Sequence, residues 1–415
     1  MRVIIVGSGI AGLVCAHLLA PEHEITVFEA GDHVGGHTHT HDVVVAGSEL
    51  AVDTGFIVFN TWTYPRFTRL LEHLGVASRA SNMSFGVRDE RSGFEYAATD
   101  FHGFFADRRL LLSPAHYRMV YEILRFGRTA RRALARLPSD VSLGELLSAE
   151  GYGSAFRDRF ILPMAAAIWS SGQERVLEGP AAFFIRFFDN HAMLSAFDQP
   201  VWRTIVGGSR AYVEPLAAPF RQRVFTGTPV RRVQRSARGV RVLLADGHTA
   251  EADQVVFACH SDQALSLLET PSAAEREILS AMPYQDNEAV LHTDERLLPR
   301  RRKAWAAWNY HVDGRRSGPV AVTYNMNLLQ GLVAPATLCV TLNRSDRIDP
   351  TLVLRRMVYQ HPVYSKEAVR AQARFEEISG IDRTHFAGAY WFNGFHEDGV
   401  RSALRVARRF GKWLA

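Results

Sequence analysis

Residues 2–6 (RVIIV) run directly into Gly7-Ser8-Gly9-Ile10-Ala11-Gly12, then an apolar stretch Leu13–Ala20, then a second run, 24–29 (EITVFE), that closes on an acid. This is strand, glycine turn, helix and strand in under thirty residues, and few folds tolerate it. Gly7 permits the tight turn, Gly9 lets the backbone approach a pyrophosphate, and Gly12 lets helix and strand pack closely. The backbone of Ile10 and Ala11 opens the helix, whose unpaired N–H groups and positive dipole end suit phosphates. Glu29, 17 residues after Gly12 with Ala30 behind it, stands where an acid accepts hydrogen bonds from both ribose hydroxyls. The pattern predicts a dinucleotide-binding α/β domain.

Composition narrows the setting. Apolar residues make up 47% and charged residues 22% of 415, which is enough core for two or three globular domains and excludes a disordered or disulfide-stapled chain. Cys15, Cys259 and Cys339 stand far apart, a spacing that fits no zinc motif and points to a reducing, cytoplasmic setting. The apolar N-terminus imitates a secretory signal, but cleavage there would destroy the glycine turn.

Along the chain, residues 43–59 read as strands broken at Gly47 and Gly55. Residues 65–202 read as mostly helical, with a hairpin at 82–97, and 223–258 as strands turned at Gly239 and Gly247. Further strands are expected at 288–293, 304–310, 319–326 and 337–343. A helix is expected around 351–379, a strand near 384–387, and a last helix from about Val400. Nucleotide-type strands at both ends and in the middle imply a discontinuous first domain, 1–75, 200–265 and 370–415. A second, α+β domain, 76–199 and 266–369, is inserted in two pieces.

Four further segments carry a family resemblance. Six residues after Glu29 comes Gly35-Gly36-His37-Thr38; later come Asp53-Thr54-Gly55-Phe56-Ile57 and Gly207-Gly208-Ser209 with Thr228-Pro229-Val230. Near the end stands Phe386-Ala387-Gly388 with Gly399-Val400 ahead of a helix. In these the chain resembles the superfamily of FAD-dependent amine oxidases, phytoene desaturases and protoporphyrinogen oxidases. The resemblance implies a Rossmann-type FAD-binding domain of the glutathione-reductase kind and non-covalent FAD. It sets Gly35, Gly36, His37 and Thr38 near the pyrophosphate and Thr54, Gly55, Phe56 and Ile57 beside the flavin ring. It sets the Val230 backbone at the adenine, and Gly388, Gly399 and Val400 at the flavin's far end. His37 replaces the usual arginine, and Ala389 stands where many members carry an acid on the ribityl chain, so that contact is missing or supplied elsewhere. The segments GGHTHT, NHAML, WNYH, YNMNLLQ and GFHEDG resemble a bacterial branch of predicted FAD-binding, amine-oxidase-like proteins. Its genes lie near fatty-acid-modifying methyltransferases, which implies acyl-chain chemistry by association.

Candidate chemistry follows. His37, His39 and His41 alternate, as three ligands on a strand face would; their overlap with the flavin motif argues against a metal, and none is expected. His396 and Glu397, in the loop before Gly399, are the first candidates for the base that takes a substrate proton, with Tyr310 third. Glu397 and Asp398 also suit a plain helix start. Trp308–His311 and Tyr324–Asn327 are expected to floor the substrate cavity, with Trp169, Asn190 and His191 lining it. Only one dinucleotide fingerprint is present, so no NAD(P)H domain delivers a hydride.

The expected activity is an FAD-dependent dehydrogenase or desaturase acting on an apolar or lipid substrate such as a fatty acyl chain. The alternatives are a redox-neutral FAD-dependent isomerase, an amine oxidase and a non-catalytic flavoprotein. Residues 118–136 (RMVYEILRFGRTARRALAR) form a basic amphipathic helix that suits peripheral contact with the inner face of a membrane. No recognition fold accompanies those arginines, so nucleic acid is excluded as a partner. The oligomeric state is left open.

Overall fold

The computed structural model describes residues 1–138, 141–169, 172–194, 199–312 and 320–414. The chain opens with strand β1 (Arg2–Val6), helix α1 (Ile10–Leu19), strand β2 (Glu24–Phe28), a hairpin of β3 (Thr40–Val45) and β4 (Ser48–Asp53), and helix α2 (Pro65–His73). It then builds β5 (Phe85–Asp89), β6 (Glu95–Ala97) and helices α3 (Phe101–Phe104), α4 (Pro114–Leu134), α5 (Leu162–Trp169) and α6 (Ala181–Asn190). It returns through β7 (Val224–Phe225) and β8 (Gln254–Phe257), and leaves again for β9 (Tyr284–His292), β10 (Trp308–Val312), β11 (Val322–Asn325), β12 (Cys339–Leu342) and β13 (Val353–Pro362). Strand β14 (Thr384–Phe386) and helix α7 (His396–Arg408) complete the first body.

Five strands form a parallel sheet in the order β7-β2-β1-β8-β14. Parallel strands bury both faces, which explains the unbroken apolar run of β1. Helix α1 (IAGLVCAHLL) is apolar nearly all round because the sheet covers one side and α7 the other. Close approach needs small residues. A Cβ on Gly12 would lie 2.1 Å from the Gly7 carbonyl oxygen, and one on Gly399 would lie 2.6 Å from Ile10 Cγ2. Ligands of such sheets bind beyond the carboxyl ends of the strands.

The second sheet has seven strands, in the order β13-β9-β12-β11-β10-β5-β6, antiparallel except for the β10–β5 pair. Its apolar face and helices α4–α6 enclose a second core around Phe126, Phe156, Phe188 and Val340.

Several expectations are corrected. Residues 353–362 form a strand, not the start of a helix; α-helix is confined to Lys366–Gln372 in that stretch. Leu354, Met357 and Val358 imitate helical spacing, but pairing along β9 from Tyr284↔Pro362 to His292↔Val353 overrides it. The last helix begins at His396, four residues early. The expected strand at 319–326 is shorter, and residue 319 lies outside the described residues.

Candidate active site

Between the two bodies runs a cavity of about 1220 Å³. One end is built by the glycine turn. Gly7 holds φ at +103°, and a Cβ there would lie 2.9 Å from the Ala258 carbonyl oxygen. A Cβ on Gly9 would meet nothing within 4 Å, so its face is open to the cavity. Gly9 N-caps α1 without a side-chain cap, and the first turn carries no acid, so the helix leaves its N–H groups and dipole uncompensated. Gly36, at φ +60°, packs where a Cβ would lie 3.0 Å from Gly9 Cα.

The Glu29 carboxylate accepts from Ser8 N (2.8 Å), Ser8 Oγ (2.7 Å) and Gly31 N (2.8 Å), which aims it along the cavity wall. Ionised, it has about four acceptor sites, so it retains capacity for a hydroxyl. Ala30 and Val230 continue that wall. An anion trough of open helix N–H groups with an acid beside it suits a dinucleotide such as FAD. Cys259 lines the same end, beside Gly7, and no cysteine lines the end at Gly388–His396.

Midway, Thr54, Gly55, Phe56 and Ile57 line the cavity opposite Gly388 and Ala389. Gly55 has to be small, since a Cβ would lie 2.2 Å from the His37 carbonyl oxygen. His37 lines the wall too, but burial holds its pKa at about 4, so it is neutral and supplies no positive charge there. Its Nε2, Trp308 Nε1 and the Tyr364 hydroxyl are buried lining atoms without a partner among the described residues, open to a ligand's polar groups.

His396 lines the cavity as the first residue of α7. Its ring stacks on Phe56 with centroids 3.6 Å apart, and its Nε2 lies 2.7 Å from the Tyr212 hydroxyl and 3.2 Å from Thr38 Oγ1. Thr38 and Tyr212 are themselves hydrogen-bonded. Burial lowers the pKa of this ring well below its ordinary value and keeps it neutral, so one ring nitrogen carries the proton and the other a lone pair.

Thr38, Gly12, Gly399 and Val400, expected to touch the cofactor, do not line the cavity. Thr38 supports His396 instead, and Gly12 and Gly399 act through close helix packing. Val400 is fully buried in the core of the first body.

Two candidate bases are corrected. Glu397 points away from the cavity: its carboxylate accepts from Arg66 N (3.1 Å), Phe67 N (2.9 Å) and Arg66 Nη1 (2.9 Å), satisfying the N-terminus of α2. Tyr310 shares a sheet face with Trp308, but it lies beneath the α5 end of the second body, where Gln173 Nε2 donates to its hydroxyl at 3.2 Å. Asp398 caps its own helix by accepting from Asn393 N and Phe395 N, and burial pushes its pKa up to about 7.

The far arm of the cavity is aromatic and aliphatic. Trp169, Phe187, His191, Trp202 and Phe395 form one group, Trp308 and Tyr324 meet edge to face at 4.9 Å, and Phe104, Ile123, Phe160 and Met164 lie beyond. Trp169, His191, Trp308 and Tyr324 are the expected lining residues that reach it. Asn309 instead bonds the carbonyls of Ala306 and Thr323, and Asn325 caps a short helix at Leu328. Asn190 does not line the cavity.

His191 stacks on Phe187 at 3.9 Å and its Nδ1 bonds the Phe187 carbonyl at 3.0 Å. A carbonyl only accepts, so Nδ1 carries the proton and Nε2 the lone pair. Burial pushes the pKa of this ring down to about 4. Tyr359, Gln360 and His361, on the misread strand β13, and Tyr364 just past it also line the wall and were hidden from sequence reasoning. Among the described residues no group of His, Cys, Asp and Glu has a metal-binding arrangement.

Comparison with known proteins agrees with this geometry. Residues 10–320 match the family described as flavin containing amine oxidoreductase. AofH of Mycobacterium tuberculosis, assigned as a flavin-containing monoamine oxidase, is 29% identical over 268 residues, which is 62% of this chain and 56% of that protein. The flavin-dependent L-tryptophan oxidase RebO of Lentzea aerocolonigenes is 42% identical over 55 residues, 13% of this chain and 12% of its own. The chain thus spans about half the length, 56%, of the first of these relatives.

Among solved structures, the CLA-producing fatty acid isomerase from P. acnes superposes with a TM-score of 0.71 at 19% identity, covering 99% of this chain and 98% of that one. Wild-type putrescine oxidase bound to putrescine gives 0.69 at 17%, covering 99% of each chain. Cyclohexylamine oxidase from Brevibacterium oxydans IH-35A gives 0.69 at 15%, again over 99% of each. These likenesses establish the fold.

Proposed function

This chain belongs to the flavin containing amine oxidoreductase family, and from that premise we propose that it is an FAD-dependent oxidoreductase that dehydrogenates a neutral acyl chain. One observation carries the substrate class. Glu29, at the nucleotide end, is the only charged side chain among the described residues lining the cavity. Among the described residues, a substrate ammonium in the far arm would find no carboxylate, and a free carboxylate no arginine or lysine. Buried charge without a partner is costly, so what fits is an apolar chain whose polar head stays outside.

The chain's own residues divide the work. The α1 N-terminus, Gly9 and Glu29 hold the dinucleotide. Thr38 and Tyr212 fix the His396 ring against Phe56 at the cavity wall. FAD, when bound, supplies a two-electron acceptor for a hydride. The accompanying substrate proton goes to His191 Nε2, an unprotonated nitrogen within the aromatic arm. The apolar walls exclude water from the reacting carbons.

The test is anaerobic stopped-flow reduction of the FAD-loaded protein. Phospholipid acyl chains in neutral detergent should bleach the flavin, and His191→Gln should slow bleaching by about 10²–10⁴-fold while the flavin spectrum is retained. Bleaching by primary alkylamines alone would make the protein an amine oxidase. A shifted double bond at unchanged product mass, with no electron acceptor consumed, would make it an isomerase.

A further inference from the structure

Helices α3 and α4 wall the cavity with Phe104 and Ile123, yet turn an unusual surface outward. Phe101, Leu112, Tyr117, Tyr121 and Leu124 are 58, 89, 49, 63 and 40% exposed. Tyr117, Tyr121 and Leu124 follow one another on one face of α4, and Phe105 joins Tyr117 to Phe101 through ring contacts of 5.4 and 4.7 Å. Scattered exposed apolar residues need no explanation, but a run of them on one helix face does.

The charge around this strip is one-sided. Asp107 is held by Arg109 and Arg301, Glu122 by Arg118, Glu150 by Arg125 and Asp189 by Arg131. Arg108, Arg128, Arg132 and Arg136 have no carboxylate partner among the described residues. Against them stands exposed Asp100, which caps α3 by accepting from Gly103 N. Arg132 and Arg136 also rim a shallow pocket of about 320 Å³, floored by Ala133, Leu137 and Leu146 and closed by Glu150.

We propose that this face of α3 and α4 docks on an anionic lipid bilayer, its aromatic and leucine side chains entering the acyl boundary and its free arginines meeting phosphates. On α4 itself Tyr117, Tyr121 and Leu124 lie beside Arg128 and Arg132, and an apolar face flanked by unpaired cations is what an interfacial helix requires. The proposal deepens the acyl-chain reading and rests on it for substrate supply: a cavity that accepts no head group is served by a surface that holds head groups just outside.

The test uses the full FAD-loaded chain with vesicles of phosphatidylcholine, alone or mixed with phosphatidylglycerol. The protein should sediment with the mixed vesicles only, and detach as salt rises. Arg128→Gln, Arg132→Gln and Arg136→Gln together should weaken partitioning by on the order of 100-fold, at about 5-fold per arginine. Leu112→Ser, Tyr121→Ser and Leu124→Ser together should weaken it about tenfold or more. Both variants should keep the flavin spectrum and melting temperature, and should bleach normally with detergent-dispersed substrate, which separates a failure of docking from a failure of the acyl-chain reading. Equal partitioning of variants and wild type, or wild type left in solution with the mixed vesicles, overturns the proposal. A lipid-free dimer that the serine variant dissociates would assign the face to a second copy and overturn it too.

Discussion

Glu29 illustrates what one side chain decides. Its two oxygens are already aimed by Ser8 and Gly31, so a bound ribose meets a carboxylate that needs no reorientation. Glu29→Ala should weaken FAD binding by about 10–150-fold, from loss of charged hydrogen bonds worth roughly 1.5–3 kcal/mol. Titration of apoprotein with FAD, read by flavin fluorescence, measures this; unchanged affinity would remove Glu29 from the ribose. Residues such as Gly7, Gly9 and Glu29 were legible because backbone geometry dictates them wherever the motif occurs. The direction of a side chain is not so dictated. Glu397 and His396 are neighbours, yet at the start of one helix they diverge by about 100° of rotation, one to α2 and one to the cavity. Only packing against Phe56 and Arg66, far away in sequence, chooses between them.

Helix α2 owes its start to another element. Tyr64 N-caps it without a side-chain bond, and Glu397 of α7 supplies the missing acceptor. Glu397→Gln keeps the shape but loses the charge. It should lower stability by about 1–2 kcal/mol, the range of a lost helix cap, while the flavin spectrum and bleaching rate stay unchanged. The Arg66 partner is 42% exposed and adds little to that figure. Urea melts beside stopped-flow traces separate this structural role from a base, which would show the reverse pattern. At this scale the sequence was readable where periodicity and burial agree, as in β1 and α1. It misled at β13, an edge strand whose half-exposed residues carry no clean alternation, so that only its partner β9 defines it.

The cavity joins the two hydrophobic cores, so its ligand is a fastener for the whole chain. FAD at 100 times its dissociation constant should add about 2.7 kcal/mol to folding, by mass action. Calorimetry of apoprotein and FAD-loaded protein should show the main transition rising with FAD concentration. A transition that ignores FAD would mean the dinucleotide end does not bind it in the native state. The two-body arrangement was legible because nucleotide-type strands recur far apart in sequence; the pairing that unites 353–362 with 284–292 was not. That same dispersal governs how the protein is made. In the parallel sheet β1 ends at Val6, whereas its partner β8 ends at Phe257, about 250 residues later. At roughly 5–20 residues per second, the ribosome takes on the order of 13–50 s to deliver β8. Throughout that interval the RVIIV strand stands with one side unpaired, a template for any passing chain. Translation speed and chaperones that shield this edge therefore bear on yield in the cell, alongside the stability of the finished molecule.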